Sequence, residues 1–281
     1  MIQRSYDDKP KLFIVPTPIG NMSDITKRAI KVLSTVDYIF AEDTRTSGIL
    51  LKHLKIKSKL VACHKFNEDS AKDRALQLLN SGKNIALITD QGTPLISDPG
   101  YLTVKEIIDN GFNVVALPGA TAFVPALNMS GISSEKFLFY GFLNSKSTIL
   151  KKELLDLKDF KYSMIFYEAP HRLEKTLEMM LEIFGNRTIS ISREITKIYE
   201  SVYRGNIKQA IIEQKKVKGE IVIVVEGNYF PGNNFEIETL INEIKYLVKS
   251  GMKESEAIKF VASKSDVSKN MLYNEYQRGV K

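Results

Sequence analysis

Carboxylate, guanidinium and small side chains cluster in short segments that directly follow apolar runs. Residues 42–45 read Glu-Asp-Thr-Arg, residues 89–100 hold two aspartates, two glycines and two prolines, and residues 166–172 hold a glutamate, a histidine and an arginine. A carboxylate can take a proton from a weak nucleophile, and an arginine can hold a phosphate. These segments therefore predict loops that bind a polar or anionic ligand.

Two further loops have the composition of a binding site or of a tight turn. Residues 15–21 contain two prolines and Gly20, but no GxGxxG pattern, so they do not favour a dinucleotide site. Residues 117–123 are rich in small side chains, which let a flat ligand approach the backbone but also permit close helix packing. In the loop 89–100, we favour Asp98 as a cap for a helix that begins near Pro99.

The elements around the first loops alternate between buried strands and amphipathic helices. Strands are predicted at 11–15, 36–40, 84–88 and 113–117. Helices are predicted at 24–34, with Asp24 as its cap, and at 68–80 and 99–110. This alternation predicts an α/β lobe with a mainly parallel sheet, in which ligands gather at the carboxyl ends of the strands.

A second set of strands follows the break at residues 118–119. Predicted strands lie at 137–141, 161–167, 187–193, 199–204 and 219–225, and predicted helices at 146–157, 171–184 and 206–214. The gap between 187–193 and 199–204 is too short for a crossover helix, so we expect a hairpin and a mixed sheet. The cleft between two such α/β lobes is the default ligand site.

The tail begins with the linker-like segment 228–234 and continues as three helical patterns. Residues 245–281 hold eight Lys or Arg and four Asp or Glu. The tail is either a dimerisation or stability appendage or a small helix-turn-helix-like RNA-binding module. The predicted domains are an N-terminal α/β lobe (1–118), a C-terminal α/β lobe (119–232) and a helical module (233–281).

Composition restricts the partners. The chain has 40 Lys+Arg and 33 Asp+Glu in 281 residues, a net charge of +7, and five lysines without an acid in residues 52–65. That stretch is suited to contact phosphates. The only cysteine is Cys63, and the three histidines lack zinc spacing, so no metal is predicted. No apolar run spans a membrane; we expect a cytoplasmic protein with no membrane or DNA partner.

The loops together resemble one family. The motifs Pro-Thr-Pro-Ile-Gly-Asn, Ala-Glu-Asp-Thr-Arg, Asp-Gln-Gly-Thr-Pro-Leu-Ile-Ser-Asp-Pro-Gly, Leu-Pro-Gly-Ala and Phe-Tyr-Glu-Ala-Pro-His-Arg, followed by Arg-Glu and Lys-Gly-Glu, occur in this order between about residues 12 and 227. Their combination resembles the small-subunit ribosomal RNA methyltransferases of the tetrapyrrole methylase superfamily. Gln91 departs from the family, which usually has a small residue there, but the following Gly92-Thr93-Pro94 is intact.

The resemblance implies a homodimer of bilobal subunits that binds S-adenosylmethionine in the interlobe cleft. It implies 2′-O-methylation of a cytidine in the decoding region of 16S rRNA, on the free RNA or in the small ribosomal subunit. The cofactor contacts that it implies are Pro18, Ile19, Asp90, Gly92, Thr93, Ile96, Thr121, Ala122, Phe166, Tyr167, Gly219 and Glu220.

Methyl transfer to a ribose hydroxyl is an in-line displacement that positioning accelerates and that a base assists. Within the resemblance, our hypothesis is that six charged residues line the substrate side, with a carboxylate as proton acceptor: Asp43, Arg45, Glu168, His171, Arg193 and Glu194. The sequence does not select the base. The alternatives are a methylase of a tetrapyrrole precursor and a non-catalytic RNA-binding or ribosome-assembly factor.

Overall fold

The computed structural model describes residues 2–5, 7–215, 217–228, 234–265 and 267–278. The chain divides into two compact units. One, Met1–Leu154 with Ser163–Glu226, contains two five-stranded sheets, and the other, Leu155–Tyr162 with Gly227–Lys281, is helical. The strands of the first sheet all precede residue 118, and those of the second all follow it. The two predicted α/β lobes thus lie within one compact unit.

The first sheet is fully parallel, with strand order β3-β2-β4-β1-β5. Alternate residues of its strands are apolar on both faces: Ile85 and Leu87 pack with α3 and α4, whereas Ala86 and Ile88 pack with α1 and α2. The strands are β1 (Lys11–Ile14), β2 (Tyr38–Ala41), β3 (Lys59–Ala62), β4 (Ile85–Ile88) and β5 (Asn113–Ala116), and the helices are α1 (Lys27–Thr35), α2 (Thr44–His53), α3 (Glu68–Asn80) and α4 (Tyr101–Asp109).

Two helix caps differ from the prediction. Helix α1 is capped by Thr26, whose hydroxyl accepts from the N–H of Ala29 at 3.0 Å, and Asp24 lies in a short 3-10 turn before it. Helix α4 begins at Tyr101, too late for Asp98 to cap it. The carboxylate of Glu68, from α3, instead accepts from the N–H groups of Gly100 (3.1 Å) and Leu102 (2.7 Å). Asp98 is thereby left for another role.

The second sheet is mixed, with strand order β6-β7-β10-β8-β9. β6 runs parallel to β7, and the remaining pairs are antiparallel, so the predicted β8–β9 hairpin is confirmed. The strands are β6 (Phe137–Phe142), β7 (Ser163–Glu168), β8 (Thr188–Arg193), β9 (Ser201–Asn206) and β10 (Ile221–Val225), and the helices are α5 (Phe123–Ser130), α6 (Ser147–Leu157), α7 (Leu173–Phe184) and α8 (Ile207–Glu213).

The helical unit has a core of its own. Helices α9 (Asn234–Lys249), α10 (Glu254–Lys264) and α11 (Lys269–Arg278) match the three predicted helical patterns and bury Ile244, Ile258 and Leu272 against one another. Most of the predicted linker 228–234 lies outside the described residues. Within the described ranges, no helix has the length and apolarity needed to cross a bilayer.

Candidate active site

A cavity of about 740 Å³ lies where the carboxyl ends of the first sheet meet one end of the second. The first sheet contributes Ile19 after β1, Glu42 after β2, residues 89–93 and 96–98 after β4, and residues 121–122 after β5. The second sheet contributes Phe142, residues 167–170, residues 194–195 with Lys197, and residues 219–222. This position agrees with the rule for ligands in open α/β sheets. Its volume falls in the range of small-molecule sites.

The loops after β1 and β4 are fastened to each other. The N–H of Thr17 donates to the Gly92 carbonyl at 2.8 Å, and the N–H of Gly92 donates back to Thr17 at 3.1 Å. The Thr17 hydroxyl also donates to the Thr89 carbonyl at 3.1 Å. Gly92 has φ +84°, and an added Cβ would lie 3.3 Å from the side chain of Ile19. The loop is therefore rigid, and a larger residue would be strained there.

Backbone strain is concentrated beside the cavity. Of the five described non-glycine residues with positive φ, Leu95 and Ser97 lie in the loop after β4, and Glu194 and Thr196 lie in the loop after β8. Each such conformation costs of the order of 1 kcal/mol or more and persists only where neighbouring contacts enforce it. Both loops border the cavity, which fits a site whose shape is held in advance of binding.

Two carboxyl groups from the first sheet meet at one hydroxyl, and a third lies close enough to interact with them electrostatically. The Thr89 hydroxyl donates to Glu42 at 2.9 Å, and the Asp98 carboxyl contacts the same hydroxyl. Burial, reinforced by Glu42, raises the pKa of Asp98 to about 6. Burial also raises the pKa of Asp90, although the N–H of Asp43 donates to its carboxylate at 3.2 Å. Sequence reasoning missed Glu42 and Asp98 as candidate site residues.

Glu168 lines the cavity, but its carboxylate is already fully engaged. The side chain is buried and accepts from the Thr176 hydroxyl at 2.6 Å and from the Ala169 N–H at 2.8 Å. The Arg172 guanidinium pairs with it at 3.3 Å and donates to the Leu143 carbonyl at 2.7 Å. Glu168 therefore ties the end of β7 to the segment after β6, and its geometry is that of a positioning residue.

A lysine joins two carboxylates at the opposite wall. The Lys197 ammonium lies 3.1 Å from both Glu194 and Glu220, and Glu194 also accepts from the Glu220 N–H at 2.9 Å. That N–H and the ammonium lower the pKa of Glu194. With its amide nitrogen oriented toward Glu220, Gln91 donates to both carboxylate oxygens, at 3.0 and 3.1 Å. Gln91 thus links the loop after β4 to the second sheet.

Tyr167 forms the floor of the second-sheet side. Its phenol oxygen accepts from the backbone N–H groups of Ala122 and Phe123, at the start of α5. Burial, with the charges of Asp98 and Glu220 nearby, raises the pKa of the phenol to about 12. The ring is therefore a neutral, fixed apolar surface at neutral pH.

The structure brings most of the sequence-predicted residues to the cavity and leaves six away from its lining. Phe166 is fully buried and contacts Tyr140 on the other face of the second sheet, because neighbouring strand residues point in opposite directions. Asp43 caps α2 and pairs with the exposed Arg45 at 2.7 Å, an ion pair that lowers the pKa of Asp43. The other three predicted residues that do not line it are Pro18, His171 and Arg193. Those that line it are Ile19, Asp90, Gly92, Thr93, Ile96, Thr121, Ala122, Tyr167, Glu168, Glu194, Gly219 and Glu220.

The chain belongs to the tetrapyrrole (corrin/porphyrin) methylase family, whose model matches residues 11–211. Within that class, it is 42% identical to ribosomal RNA small subunit methyltransferase I of Halalkalibacterium halodurans, over 98% of this chain and 99% of the relative. It is 44% identical to the Bacillus subtilis protein of the same name, over 98% and 97%. These findings confirm the predicted enzyme class: the chain is a methyltransferase of this family.

Solved structures share the fold at low identity. A cobalt precorrin-4 methyltransferase of cobalamin biosynthesis superposes with a TM-score of 0.60 at 16% identity, covering 79% of this chain and 96% of its own. A Thermus thermophilus uroporphyrin-III C-methyltransferase in complex with S-adenyl homocysteine superposes with a TM-score of 0.57 at 13% identity, covering 77% and 97%. The predicted fold, two α/β lobes of the tetrapyrrole methylase type with a helical tail, is confirmed.

Proposed function

We propose that the chain transfers the methyl group of S-adenosylmethionine to the ribose 2′-hydroxyl of a cytidine in the decoding region of 16S rRNA. The observation that carries this proposal is the identity of 42–44%, over 98% of the chain, to relatives named as small-subunit ribosomal RNA methyltransferases. The cavity supports it, because its shape and charge suit a cationic cofactor of this size.

The charge of the cavity matches the cofactor. Of the described residues that line it, six carry carboxyl groups and one, Lys197, carries an ammonium. S-adenosylmethionine presents a sulfonium and an ammonium, both of which an acidic lining attracts. Bound there, it supplies an electrophilic methyl carbon. We propose that the predicted cofactor contacts that line the cavity hold it, with Pro18 and Phe166 supporting them from behind.

The ribose hydroxyl must lose its proton as the O–C bond forms and the C–S bond breaks, and we propose Asp98 as the acceptor. Two carboxylates predicted for this role are engaged: Glu168 by three donors, from Thr176, Ala169 and Arg172, and Glu194 by Lys197 and a backbone N–H. The Thr89 hydroxyl has one proton to donate, and it donates it in a hydrogen bond to Glu42. The Asp98 carboxylate is thus left to accept the substrate proton and release it to solvent.

Exposed basic side chains supply the contacts for RNA in this proposal. The five lysines of residues 52–65 are all exposed, and so are Arg45 and His171. Lysines on α9, α10 and α11 add positive charge on the helical unit. We propose that these groups contact phosphates and that Arg193 supports them. The proposal also includes a cytoplasmic location and a homodimer, for which the exposed Tyr101, Leu102 and Ile108 of α4 offer an apolar surface.

The alternative substrate, a tetrapyrrole precursor, is disfavoured by the lining. Such a precursor is a polycarboxylate and would have to enter a cavity that holds six carboxyl groups among its described residues. An RNA substrate can keep its phosphates outside and insert only a neutral ribose. The match to a named methyltransferase over 98% of this chain, together with the rigid loops at the cavity, argues against a non-catalytic assembly factor.

The test is methyl transfer from labelled S-adenosylmethionine to small ribosomal subunits that lack the modification. The labelled nucleotide is then mapped by nuclease digestion and mass spectrometry. We expect one 2′-O-methylated cytidine in the decoding region, with free 16S rRNA and a tetrapyrrole precursor run in parallel. Cofactor binding without label on either RNA would contradict the proposed substrate, and label on the precursor would establish the alternative.

A further inference from the structure

Phe142 is a large aromatic side chain that lines the cavity and yet is 53% exposed. Burying a phenylalanine normally stabilises a protein, so an exposed one at a binding cavity needs a reason. Aromatic side chains are the usual platforms on which splayed-out RNA bases stack. A 2′-hydroxyl can reach a recessed cofactor only if its nucleotide leaves the RNA stack, which leaves one base face to be covered.

A β-bulge turns Phe142 toward the cavity. In β6, Phe139 pairs with Ile165, and the register then shifts so that Gly141 pairs with Phe166 and Phe142 with Tyr167. Without the extra residue, strict alternation would place Phe142 on the face of Tyr140, away from the cavity. Bulges of this kind re-aim side chains next to active sites.

Gly141 makes the bulge possible. Its φ is +84°, a left-handed conformation that glycine adopts without strain. An added Cβ would lie 3.1 Å from the Ser97 hydroxyl, in the loop after β4. The bulge therefore sits against the first-sheet wall of the same cavity, which fixes Phe142 between the two sheets.

Contacts on both sides of Phe142 along the chain fix the position of its ring. The Phe142 ring meets the Tyr167 ring edge to face at 5.5 Å and 65°, and Phe139 meets the same ring at 5.0 Å. Beyond Phe142, Leu143 is buried and its carbonyl accepts from Arg172, which Glu168 holds. The Glu168–Arg172 pair thus anchors the segment that carries Phe142, while about half of the Phe142 surface stays exposed.

We propose that Phe142 stacks on the base of the nucleotide whose ribose is methylated. This inference rests on the proposed function and adds to it a positioning contact with the substrate. Phe142 lines the cavity with about half of its surface open to solvent, so we assign the RNA base to it, and the more buried lining residues Ile19 and Tyr167 are left to the cofactor.

The test compares Phe142→Ala, Phe142→Tyr and Phe142→Trp with wild type. Phe137→Ala is the matched control, because Phe137 is an exposed phenylalanine on the same strand that does not line the cavity. Single-turnover methylation of small subunits that lack the modification is measured, together with cofactor affinity by calorimetry. Stacking worth about 1–3 kcal/mol per base predicts that Phe142→Ala slows methylation roughly 5- to 150-fold. Phe142→Tyr, Phe142→Trp and Phe137→Ala should stay close to wild type, and cofactor affinity should not change.

Three results would overturn the inference while leaving the proposed function in place. Methylation by Phe142→Ala at the wild-type rate would show that no base stacks there. An equal loss in Phe142→Tyr and Phe142→Trp would show that shape, and not an aromatic face, matters. A matching loss of cofactor affinity would assign the ring to the cofactor. Absence of label with wild-type protein would overturn the proposed function, and this inference with it.

Discussion

Replacing Asp98 by asparagine should make the protein more stable and far less active. Asparagine keeps the size of the side chain and, like a protonated carboxyl, can donate to the Thr89 hydroxyl, but it cannot accept the substrate proton. General-base assistance is worth about 10²–10⁴ in rate, so turnover should fall by that factor. Cofactor affinity is the control measurement, because the change is intended to remove the base and leave the binding loop intact.

The gain in stability follows from the pKa of Asp98, which burial raises from 3.8 to about 6. A difference of this size corresponds to about 3 kcal/mol at 1.36 kcal/mol per pKa unit. Partial exposure of the group to solvent reduces this to about 1–2 kcal/mol, or roughly 2–8 °C in melting temperature.

The sign of the pH dependence is fixed by the same shift. Between pH 4 and pH 6 the folded protein holds a proton on Asp98 that the unfolded chain has released, so wild-type stability falls as the pH rises. The variant has no such group. Its advantage should be fully present above pH 6 and should vanish as the pH approaches 4.

The assay is thermal unfolding of both proteins without cofactor from pH 4.5 to 8, beside Asp73→Asn, an exposed aspartate on α3, as the matched control. A variant that is less stable than wild type at pH 7.5, or an advantage that does not shrink toward pH 4.5, would refute the raised pKa. Wild-type turnover by Asp98→Asn would refute its role as proton acceptor while leaving the electrostatic argument intact.

Three more predictions test the contacts of Glu168, the role of Asp43 and the proposed RNA surface. Glu168→Gln should lower the free energy of unfolding by about 2–3 kcal/mol, seen as a lower melting temperature, because a buried carboxylate with three partners is replaced. Glu178→Gln, at an exposed position on the neighbouring helix α7, should cost almost nothing, and equal melting temperatures of the two variants would contradict the argument. Asp43→Asn keeps an N-cap side chain and removes only an exposed ion pair, so turnover should stay near that of the wild type. A large loss of turnover would show that Asp43 takes part in catalysis. Replacing the exposed Lys52, Lys55 and Lys57 by glutamine should reduce the steepness of the plot of log RNA affinity against log salt concentration by about 2. An unchanged slope would show that these lysines do not contact the RNA.

Most of the fold could be predicted because strand and helix periods are local. The elements that were missed each carry a local contradiction. β3 begins with Lys59 in a lysine-rich stretch, so its three apolar residues were interpreted as part of a phosphate-binding stripe. α2 contains Gly48 and several residues of low helix propensity, and α5 contains Pro125, which a helix tolerates here because it lies in the first turn. Tertiary packing, and not local propensity, determines the secondary structure of β3, α2 and α5.

The site was predictable in outline and not in detail. Loops at strand ends could be placed at one edge of the sheet from topology alone, and most of their predicted residues do line the cavity. The role of Asp98 depends on Glu68, 30 residues away, which takes the cap position that the sequence suggested for Asp98. The direction of Phe142 depends on a bulge that reverses the alternation of β6. The partner has no local sequence signal, whereas the isolated Gly141 inside β6 does indicate a bulge but not the direction of the side chain that follows it.

The distribution of charge explains how one protein can serve a cationic cofactor and an anionic substrate. The chain is basic overall, with a net charge of +7, while six carboxyl groups line the cavity among its described residues. Exposed lysines attract phosphates from a distance, and the acidic interior repels them, so the RNA is held at the mouth and only a neutral ribose gains by entering. RNA binding should therefore weaken steeply with salt, because it releases counterions, whereas cofactor binding inside a partly enclosed cavity should change far less. Equal salt sensitivity of the two would show that this separation of charge does not govern recognition.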